Sequence, residues 1–509
     1  MGKFGRRRLL LGGALGAAAV ALAGRPAAAQ AAVARSAGGF WDYPEHRSAA
    51  QLEVDRAAAA RQVQALSPAS RARAEQIIDR LQARQEVAPV PIAVPFDRYR
   101  ASPSGTDLLV ARGQLTVRMD RPFAMPAAVG VSADASALAG AVTAALATLG
   151  YTRTANGAPP RVPASLTGVR PARRDIAVFR GDKGPAQLAR DAARLREQGI
   201  TAALNVVVPL GHVIKADDYP VVTQGFGPAA AVAPAAVRVA LVDTGIAAAP
   251  RADGWLGGAV IGPGAADPLD VLPVAGRLDW GSGHGTFTAG IVRQVAPRCE
   301  IVAYRFTRGD GLGTDEDVAD LLLQAAWEAH EAGIPTVINA SLGTPAVDGV
   351  PPLAMRSAIE FIAANYPEVL IVASAGNLGS AEPVYPAAFD GVVAVGALTH
   401  ELQAAPFSSY GPWLRCSTVG VGVVSTFVPG VSPPEPDPYE PDQVFGADAW
   451  ALWSGTSFSA PQISGAIARL CCDNPGLTPR AALDTLLAGQ PELPGYGRIL
   501  RLLPGTPTA

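Results

Sequence analysis

Lysine is scarce in this chain of 509 residues: it occurs at positions 3, 183 and 215, and arginine supplies nearly all of the positive charge. Charged residues make up 17% of the sequence, and the formal net charge is -2. A chain with this balance has no strongly basic surface for the phosphate backbone of a nucleic acid. We therefore expect no nucleic-acid partner.

Cysteine is equally scarce, because the chain has only 4. This number excludes the dense disulfide framework of small secreted domains. Cys471 and Cys472 are adjacent, and a bond between them on one helix would be strained. Buried free thiols are the favoured interpretation, and a Cys299–Cys416 disulfide is the alternative.

Long apolar runs are also missing after the first 30 residues, so the sequence predicts no membrane-spanning segment in the mature protein. Residues 1–29 join the arginines at positions 6–8 to a short apolar run and then to small residues ending near Ala29. This pattern is typical of an export signal of the twin-arginine type, with an ordinary secretory signal as the alternative. We expect a periplasmic or extracellular protein.

Hydrophobic residues are abundant, at 49%, and the length is sufficient for two or three domains with a large core. Residues 30–230 are predicted to form a smaller α+β region, either a pro-segment or an accessory domain. Its histidines, His46 and His212, stand alone and are interpreted as structural. The Gly/Ala/Pro-rich stretch 225–236 is the best domain boundary. The predicted helices of this region are 47–66, 67–85, 135–150 and 184–199, and its predicted strands are 113–119, 175–180 and 201–210.

Residues 237–503 have a different pattern, in which short valine- and isoleucine-rich runs alternate with helical stretches. Apolar strands joined by helical crossovers predict an α/β fold with a doubly wound, mostly parallel sheet. In such sheets the functional site lies beyond the carboxyl ends of the strands.

Three polar residues in this region lie where such a site is expected. Asp243 ends the apolar run "VALVD", His284 stands among glycines in "GSGHGT", and Ser457 lies in "SGTSFSAP" at the start of an apolar helix. Each has a plainer interpretation: a capping aspartate, a nucleotide-binding loop and a capping serine. A serine nucleophile, however, needs a histidine base and a carboxylate that orients it, and all three residue types are present.

These stretches resemble the three signatures of the subtilisin-like serine peptidases, and the resemblance extends over roughly residues 237–500. "VINASLGTP" and "VASAGNLGS" are similar to two further landmarks of the family. The resemblance implies an exported serine endopeptidase that acts on polypeptides through an acyl-enzyme intermediate. It assigns Ser457 as nucleophile, His284 as general base and Asp243 as the group that orients the imidazole.

The resemblance assigns further residues to the site. Asn377 corresponds to the side chain that stabilises the oxyanion, together with the Ser457 backbone N–H; a loop asparagine is the alternative. Val384 corresponds to a position lining the pocket for the residue before the cut. The two edges that would pair with an extended substrate are Gly311, Leu312 and Gly313 on one side and Ser341, Leu342 and Gly343 on the other.

The acidic run 314–320 raises the question of a metal. Thr314 and Asp317 have the spacing of a helix capping box, and this interpretation is preferred over a calcium site. We predict no required cofactor and no metal ligands. Phe287 replaces the second histidine of the common family motif, and residues 429–450 form a proline-rich insertion that either covers the cleft or is a solvent loop.

Two other functions remain open. The first is a catalytically silent peptide-binding or scaffolding protein on the same fold. The second is an acid-active serine-carboxyl peptidase, which would need a glutamate as its base; here a histidine occupies that place, so activity should rise roughly above pH 6 to 7. We also expect part of the N-terminal region to act as an intramolecular inhibitor until a cut is made near 215–236.

Overall fold

A computed structural model describes residues 45–63, 75–76, 78–80, 82, 95–100, 107–122, 135–154, 175–210, 219–262, 264–270, 276–307, 311–433 and 442–508. The predicted export signal at residues 1–29, most of the predicted helix 67–85, and His212 lie outside these ranges. Among the residues described, no helix is both long enough and apolar enough to cross a membrane.

The helices and strands of the described residues are numbered in chain order. The helices are α1 (Ala49–Gln62), α2 (Ala135–Thr148), α3 (Pro185–Glu197), α4 (His284–Val295), α5 (Asp315–Ala332), α6 (Leu353–Asn365), α7 (Thr456–Asp473) and α8 (Pro479–Leu487). The strands are β1 (Phe96–Tyr99), β2 (Leu108–Pro122), β3 (Thr152–Arg153), β4 (Ile176–Arg180), β5 (Ile200–Pro209), β6 (Val221–Thr223), β7 (Arg238–Asp243), β8 (Val260–Ile261), β9 (Glu300–Arg305), β10 (Leu312–Thr314), β11 (Thr336–Ala340), β12 (Thr344–Pro345), β13 (Val369–Ser374), β14 (Val384–Tyr385), β15 (Val392–Leu398), β16 (Cys416–Val419), β17 (Val423–Thr426), β18 (Gly430–Val431), β19 (Val444–Phe445), β20 (Trp450–Trp453), β21 (Glu492–Leu493) and β22 (Gly497–Ile499).

The central sheet of the C-terminal region has the strand order β21-β22-β16-β15-β13-β11-β7-β9-β8. All of its described pairings are parallel except the one between β21 and β22 at one edge. This confirms the predicted α/β fold with a mostly parallel sheet.

Both faces of this sheet are buried, as expected for apolar strands with helical crossovers. Along β7, Val239 and Leu241 join the hydrophobic cluster that contains α4 and α7, whereas Ala240 and Val242 join the cluster that contains α5 and α6. The alternation follows from the two-residue period of a strand. It places α4 and α7, which carry His284 and Ser457, on the same face.

The N-terminal module, which comprises β1–β5 with α2 and α3, forms an antiparallel sheet with the order β10-β5-β2-β4-β3 and with β1 against β2. The predicted strands and helices between residues 113 and 210 are confirmed, and α2 is followed by Gly150 at φ 79°. The edge strand β10 comes from the C-terminal region and pairs with β5. The core of the module is continuous with the cluster beneath α5 and α6.

Two segments that precede the C-terminal region in sequence also pack against it. Strand β6 pairs with β20, which in turn pairs with β17. Helix α1 packs beside β20 in a separate small hydrophobic cluster. The predicted helix 47–66 is thus present over Ala49–Gln62. His46 has a structural place, since its ring stacks on Phe226 at 3.9 Å between centroids.

The remaining features predicted from the sequence have definite places. The ends of the insertion 429–450 pair as strands β18 and β19, and its Asp442 forms a bidentate ion pair with Arg277. All four cysteines are buried free thiols, so the alternative Cys299–Cys416 disulfide is not formed.

Candidate active site

Asp243 and His284 meet at the carboxyl edge of the central sheet. Asp243 is the last residue of β7, and His284 is the first residue of α4. The His284 Nδ1 atom lies 2.7 Å from Asp243 Oδ1, and both side chains are almost completely buried. With the aspartate ionised, the Nδ1–H donates to it, which leaves Nε2 as the proton acceptor of a neutral imidazole.

This close approach depends on glycine. A Cβ atom on Gly285 would lie 2.0 Å from the carbonyl oxygen of Gly245, so any side chain there would push α4 away from β7. Gly283, the N-cap of α4, has φ 85°, in the left-handed region that favours glycine. The glycines around His284 therefore allow the imidazole to reach Asp243. A nucleotide-binding loop would not explain this close approach.

Ser457 is the second residue of helix α7, at the N-terminal end predicted from the sequence. Its Oγ donates to the Ser341 carbonyl at 3.4 Å, and its own carbonyl accepts from Ser341 Oγ at 2.8 Å. Asn339 Nδ2 donates to the same Ser341 hydroxyl at 2.9 Å. Ser457 is thereby held between the start of α7 and the segment that follows β11.

The imidazole of His284 faces two aromatic side chains, one on α7, which carries Ser457, and one at the end of β20. Its ring centroid lies 5.3 Å from that of Phe458, the residue after Ser457, and 5.6 Å from that of Trp453. Phe287, which replaces the second histidine of the family motif, packs on Phe458 at 4.6 Å. Phe287 thus contributes to the packing of α4 on α7.

Asn377 follows β13 and is 2% exposed. Its Oδ1 accepts two hydrogen bonds from Thr456, one from the backbone N–H at 3.0 Å and one from Oγ1 at 2.8 Å. These bonds orient the amide so that its Nδ2 donor faces away from Thr456. A carboxamide N–H and the N-terminus of α7 are the two kinds of donor that stabilise an oxyanion. The loop interpretation of Asn377 does not require this orientation.

Asp267, a buried carboxylate next to this pair, was not predicted from the sequence. Its Oδ2 accepts from Gly283 N–H at 2.8 Å and from Thr244 Oγ1 at 3.0 Å. Thr244 Oγ1 in turn accepts from Gly285 N–H at 2.9 Å. Burial, together with the nearby negative charge of Asp243, raises the pKa of Asp267 to about 7. No motif marks this aspartate, which lies in a loop with no periodic pattern.

The two predicted substrate-binding edges lie on either side of strand β5, which belongs to the chain itself. On one side, β10 pairs with β5 through Leu312 opposite Pro209 and Gly313 opposite Val208, and Leu210 N–H donates to Gly311 O at 2.9 Å. On the other side, Leu210 forms a bridge with Leu342. An extended segment thus fits between the two edges.

Val384 lies in β14, opposite Pro345 of β12. Its Cγ1 is 2.5 Å from the position that a Cβ on Gly343 would take, and its Cγ2 is 2.9 Å from that of a Cβ on Gly376. The side chain therefore fills the gap between the segment that contains Ser341 and the loop that contains Asn377.

The acidic run begins helix α5 with the predicted capping box between Thr314 and Asp317. Asp315 is also engaged, since it accepts from the N–H groups of Ala354 and Met355 at the start of α6. Among the described residues, no group of three or more His, Cys, Asp or Glu side chains could hold a metal ion.

A buried carboxylate–imidazole pair, a serine at a helix N-terminus and an oriented carboxamide are the parts of a serine hydrolase on an α/β fold. The family model described as the subtilase family matches residues 235–490. This chain therefore belongs to the subtilase family and is a serine peptidase, as the sequence motifs predicted.

Individual relatives agree with this assignment. The chain is 32% identical over 248 residues to subtilisin BL of Lederbergia lenta, covering 47% of this chain and 77% of the relative. It is 31% identical over 285 residues to subtilisin DY of Bacillus licheniformis, covering 53% and 87%. Among solved structures, a cold-adapted subtilisin-like serine proteinase is similar with a TM-score of 0.40 and 23% identity, over 52% of this chain and 89% of that one.

Proposed function

We propose that this chain is an exported serine endopeptidase in which Ser457, His284 and Asp243 form the catalytic triad. The observation that carries the proposal is the buried 2.7 Å contact between His284 Nδ1 and Asp243 Oδ1, on a helix that packs against the one carrying Ser457. Export is supported by the arginine cluster and apolar run of residues 1–29.

In the proposed reaction, Ser457 Oγ attacks the carbonyl carbon of a peptide bond while His284 Nε2 accepts the hydroxyl proton. The oxyanion is stabilised by Asn377 Nδ2 and the Ser457 N–H. His284 then gives the proton to the leaving amine, and the C–N bond breaks to leave an ester on Ser457. Water, deprotonated by His284, hydrolyses this ester and regenerates the serine. Asp243 holds the imidazole in the required tautomer throughout.

Labelling with a fluorophosphonate probe tests this assignment. We expect the wild-type protein to be labelled at Ser457, and His284→Ala to lose nearly all labelling, because the hydroxyl then has no base. Ser457→Ala should abolish labelling and peptide hydrolysis. Folded wild-type protein that is neither labelled nor hydrolytic would instead support the silent peptide-binding alternative, and an activity optimum near pH 4 would support the acid-active alternative.

The N-terminal module is proposed to be an intramolecular inhibitor. Strand β5 lies between the two edges assigned to substrate, with Val208 and Leu210 completely buried. Its antiparallel pairing with β10 is the backbone mode by which an extended peptide is recognised at a sheet edge. A substrate needs the same edges, so the module and the substrate exclude each other.

The cut that begins activation is proposed to lie between residues 211 and 218, a range that overlaps only the start of the region expected from the sequence, 215–236. Residues from Tyr219 onward are built into the C-terminal region, with Tyr219 7% exposed and β6 paired to β20. Intact mass measurement of wild-type protein and of Ser457→Ala tests self-processing. We expect the wild type to be cut and Ser457→Ala to stay whole; identical cutting of both would contradict it.

A further inference from the structure

Residues 45–63, called the anchor below, precede the inhibitory module in the chain but pack against the C-terminal region. Ala58 and Ala59 on α1 are 1% and 0% exposed and join a cluster with Phe407, Val421 and Leu452. A Cβ atom on Gly422 would lie 3.1 Å from Ala59 Cβ, so the helix rests against the backbone at that point. The anchor is therefore packed into a buried hydrophobic cluster and does not merely lie on the surface.

A buried ionic network fixes the position of the anchor. The Asp55 carboxylate is completely buried and accepts from Arg47 Nη1 at 3.0 Å and from Thr223 Oγ1 at 2.5 Å. Arg47 Nη1 also donates to Thr506 Oγ1 at 2.8 Å, near the C-terminal end of the described chain. One aspartate thus links the anchor to β6 and, through Arg47, to Thr506. Such a network tolerates little displacement, because a separated buried charge is costly.

The two ends of the anchor make further specific contacts. Ser48 N–H donates to Gln224 Oε1 at 2.7 Å, and Ser454 Oγ donates to Gln62 Oε1 at 2.8 Å. Ser454 lies three residues before Ser457 in sequence. The anchor therefore reaches the segment that leads into the proposed nucleophile, without contributing to the cleft.

Because of these contacts, a cut at 211–218 does not by itself separate the two halves of the protein. The N-terminal fragment would still hold the C-terminal region at two places, the cleft through β5 and the anchor site through α1. Linking two contacts in one fragment raises overall affinity by about 10²–10⁴ over one contact alone, provided that both can be engaged together.

We propose that the anchor surface binds residues 45–63 permanently, and that release of the inhibitory module requires a second cut between residues 64 and 94. The proposal rests on the inhibitory role assigned to the module. After the second cut, the anchor no longer ties the module to the C-terminal region, and the module dissociates. The anchor stays as a separate short chain of the mature enzyme.

The test uses the full-length Ser457→Ala protein, with a recognition site for a specific protease introduced in 211–218, in 64–94 or in both. Because cutting is done by the added protease, the result does not depend on the activity of this chain. After the 211–218 cut alone, we expect both fragments to elute together in size-exclusion chromatography. After both cuts, we expect the module to elute separately while mass spectrometry finds residues 45–63 with the C-terminal chain.

Two variants of α1 separate anchoring from general stability. Ala59→Asp places a charge in the buried face, whereas Val54→Asp places the same residue at a position that is 55% exposed. After the 211–218 cut, Ala59→Asp should weaken retention of the N-terminal fragment at least tenfold, and Val54→Asp should leave it unchanged. Equal retention by both variants, or loss of residues 45–63 from the C-terminal chain after both cuts, would overturn the proposal.

If the anchoring experiment fails while fluorophosphonate labelling succeeds, the protease assignment stands and the second cut is unnecessary. Peptide hydrolysis is compared between uncut and doubly cut proteins that both keep Ser457. If the anchor is retained but the two proteins hydrolyse peptides equally fast, the inhibitory role of the module is the part that is wrong.

Discussion

The carboxylate of Asp267 accepts a hydrogen bond from the backbone N–H of Gly283 at 2.8 Å. Through Thr244 Oγ1 it also reaches the residue after Asp243, so one side chain joins the end of β7 to the start of α4. The distance between Asp243 and His284 is set at this junction. Asp267 bonds to the neighbours of Asp243 and His284 in the chain, and we interpret it as a positioning residue.

Replacement of Asp267 should reduce turnover without abolishing it. Asp267→Asn keeps one oxygen for Gly283 and Thr244, so we expect a loss of kcat of up to about tenfold. Asp267→Ala leaves both donors without this acceptor, and displacement of His284 should cost about 10²-fold, with KM nearly unchanged. Steady-state kinetics on a short peptide ester check that kcat decreases in the order wild type, Asp267→Asn, Asp267→Ala. Equal kinetics for wild type and Ala would exclude a positioning role.

Asp267 should also make stability depend on pH. Burial raises its pKa from 3.8 to about 7, so between these values the folded protein keeps a proton that the unfolded chain has released. Its contribution to stability is therefore complete below pH 3.8 and is lost as pH rises through 7. Urea unfolding of the Ser457→Ala protein, with and without Asp267→Asn, measures this effect. As pH rises over this range, the free energy of unfolding of the protein with Asp267 should fall by a few kcal/mol relative to that of the Asp267→Asn variant. Above pH 8 the difference between the two should stay constant. A difference independent of pH would contradict the raised pKa.

The residues proposed to carry the chemistry stand out in the sequence, because each lies in a short segment whose backbone demands are visible as glycine. His284 stands between Gly283 and Gly285, and the structure shows why: one has φ 85°, and the other admits no Cβ. The parallel sheet was equally visible, since strands buried on both faces are apolar throughout.

The features that were missed depend on contacts between distant segments. Asp267 acts through hydrogen bonds to backbone that no sequence pattern encodes. The buried residues of α1 are two alanines and two polar residues, Ala58, Ala59, Asp55 and Gln62, so its pattern indicates a helix but not its partner. The pairing of β5 with the three-residue strand β10 was not predictable, because so short a strand carries no register signal.

Thr456 should control the oxyanion donor. Asn377→Ala removes that donor, and we expect a loss of about 10²–10³ in kcat with little change in KM. Thr456→Val removes the 2.8 Å bond to Asn377 Oδ1 and the acceptor of the 3.2 Å bond from Gly376 N–H, but it keeps the 3.0 Å backbone bond, so the loss should be about tenfold. In the double variant Asn377→Ala/Thr456→Val, the second substitution should have almost no further effect. Additive losses would show that Thr456 acts independently of the amide.

Val384 should restrict the residue that precedes the cut to small side chains. It fills the gap between Gly343 and Gly376, next to Ser341 and Asn377. Val384→Gly should therefore raise kcat/KM for substrates with leucine or phenylalanine at that position, relative to alanine, by about 10-fold or more, since a hydrophobic pocket gains roughly 1–3 kcal/mol per added methylene. A peptide library measures the change. An unaltered preference would place the specificity elsewhere.

Strand β5 predicts which bond is cut first. Leu210 forms a bridge with Leu342, and the preceding residue, Ser341, is the one whose carbonyl accepts from Ser457 Oγ at 3.4 Å. If a substrate continues the antiparallel register of β5 by one residue along the sequence, the residue opposite Ser341 is number 211, so we expect the bond between Gly211 and His212 to be cleaved. A glycine before the cut also suits a gap already filled by Val384.

Mass spectrometry of the self-processed protein should therefore find a C-terminal fragment that begins at His212. Gly211→Phe should slow this first cut more than tenfold, because a large side chain before the cut does not suit a pocket that Val384 fills, and the combination with Val384→Gly should restore much of the rate. Gly211→Ala is the matched control and should be cut nearly as fast as the wild type. Rescue by Val384→Gly is the decisive result, since a merely misfolded Gly211→Phe protein would not regain processing when a second buried side chain is removed. A first cut elsewhere, or no rescue, would show that strand β5 does not enter the site in the register of a substrate.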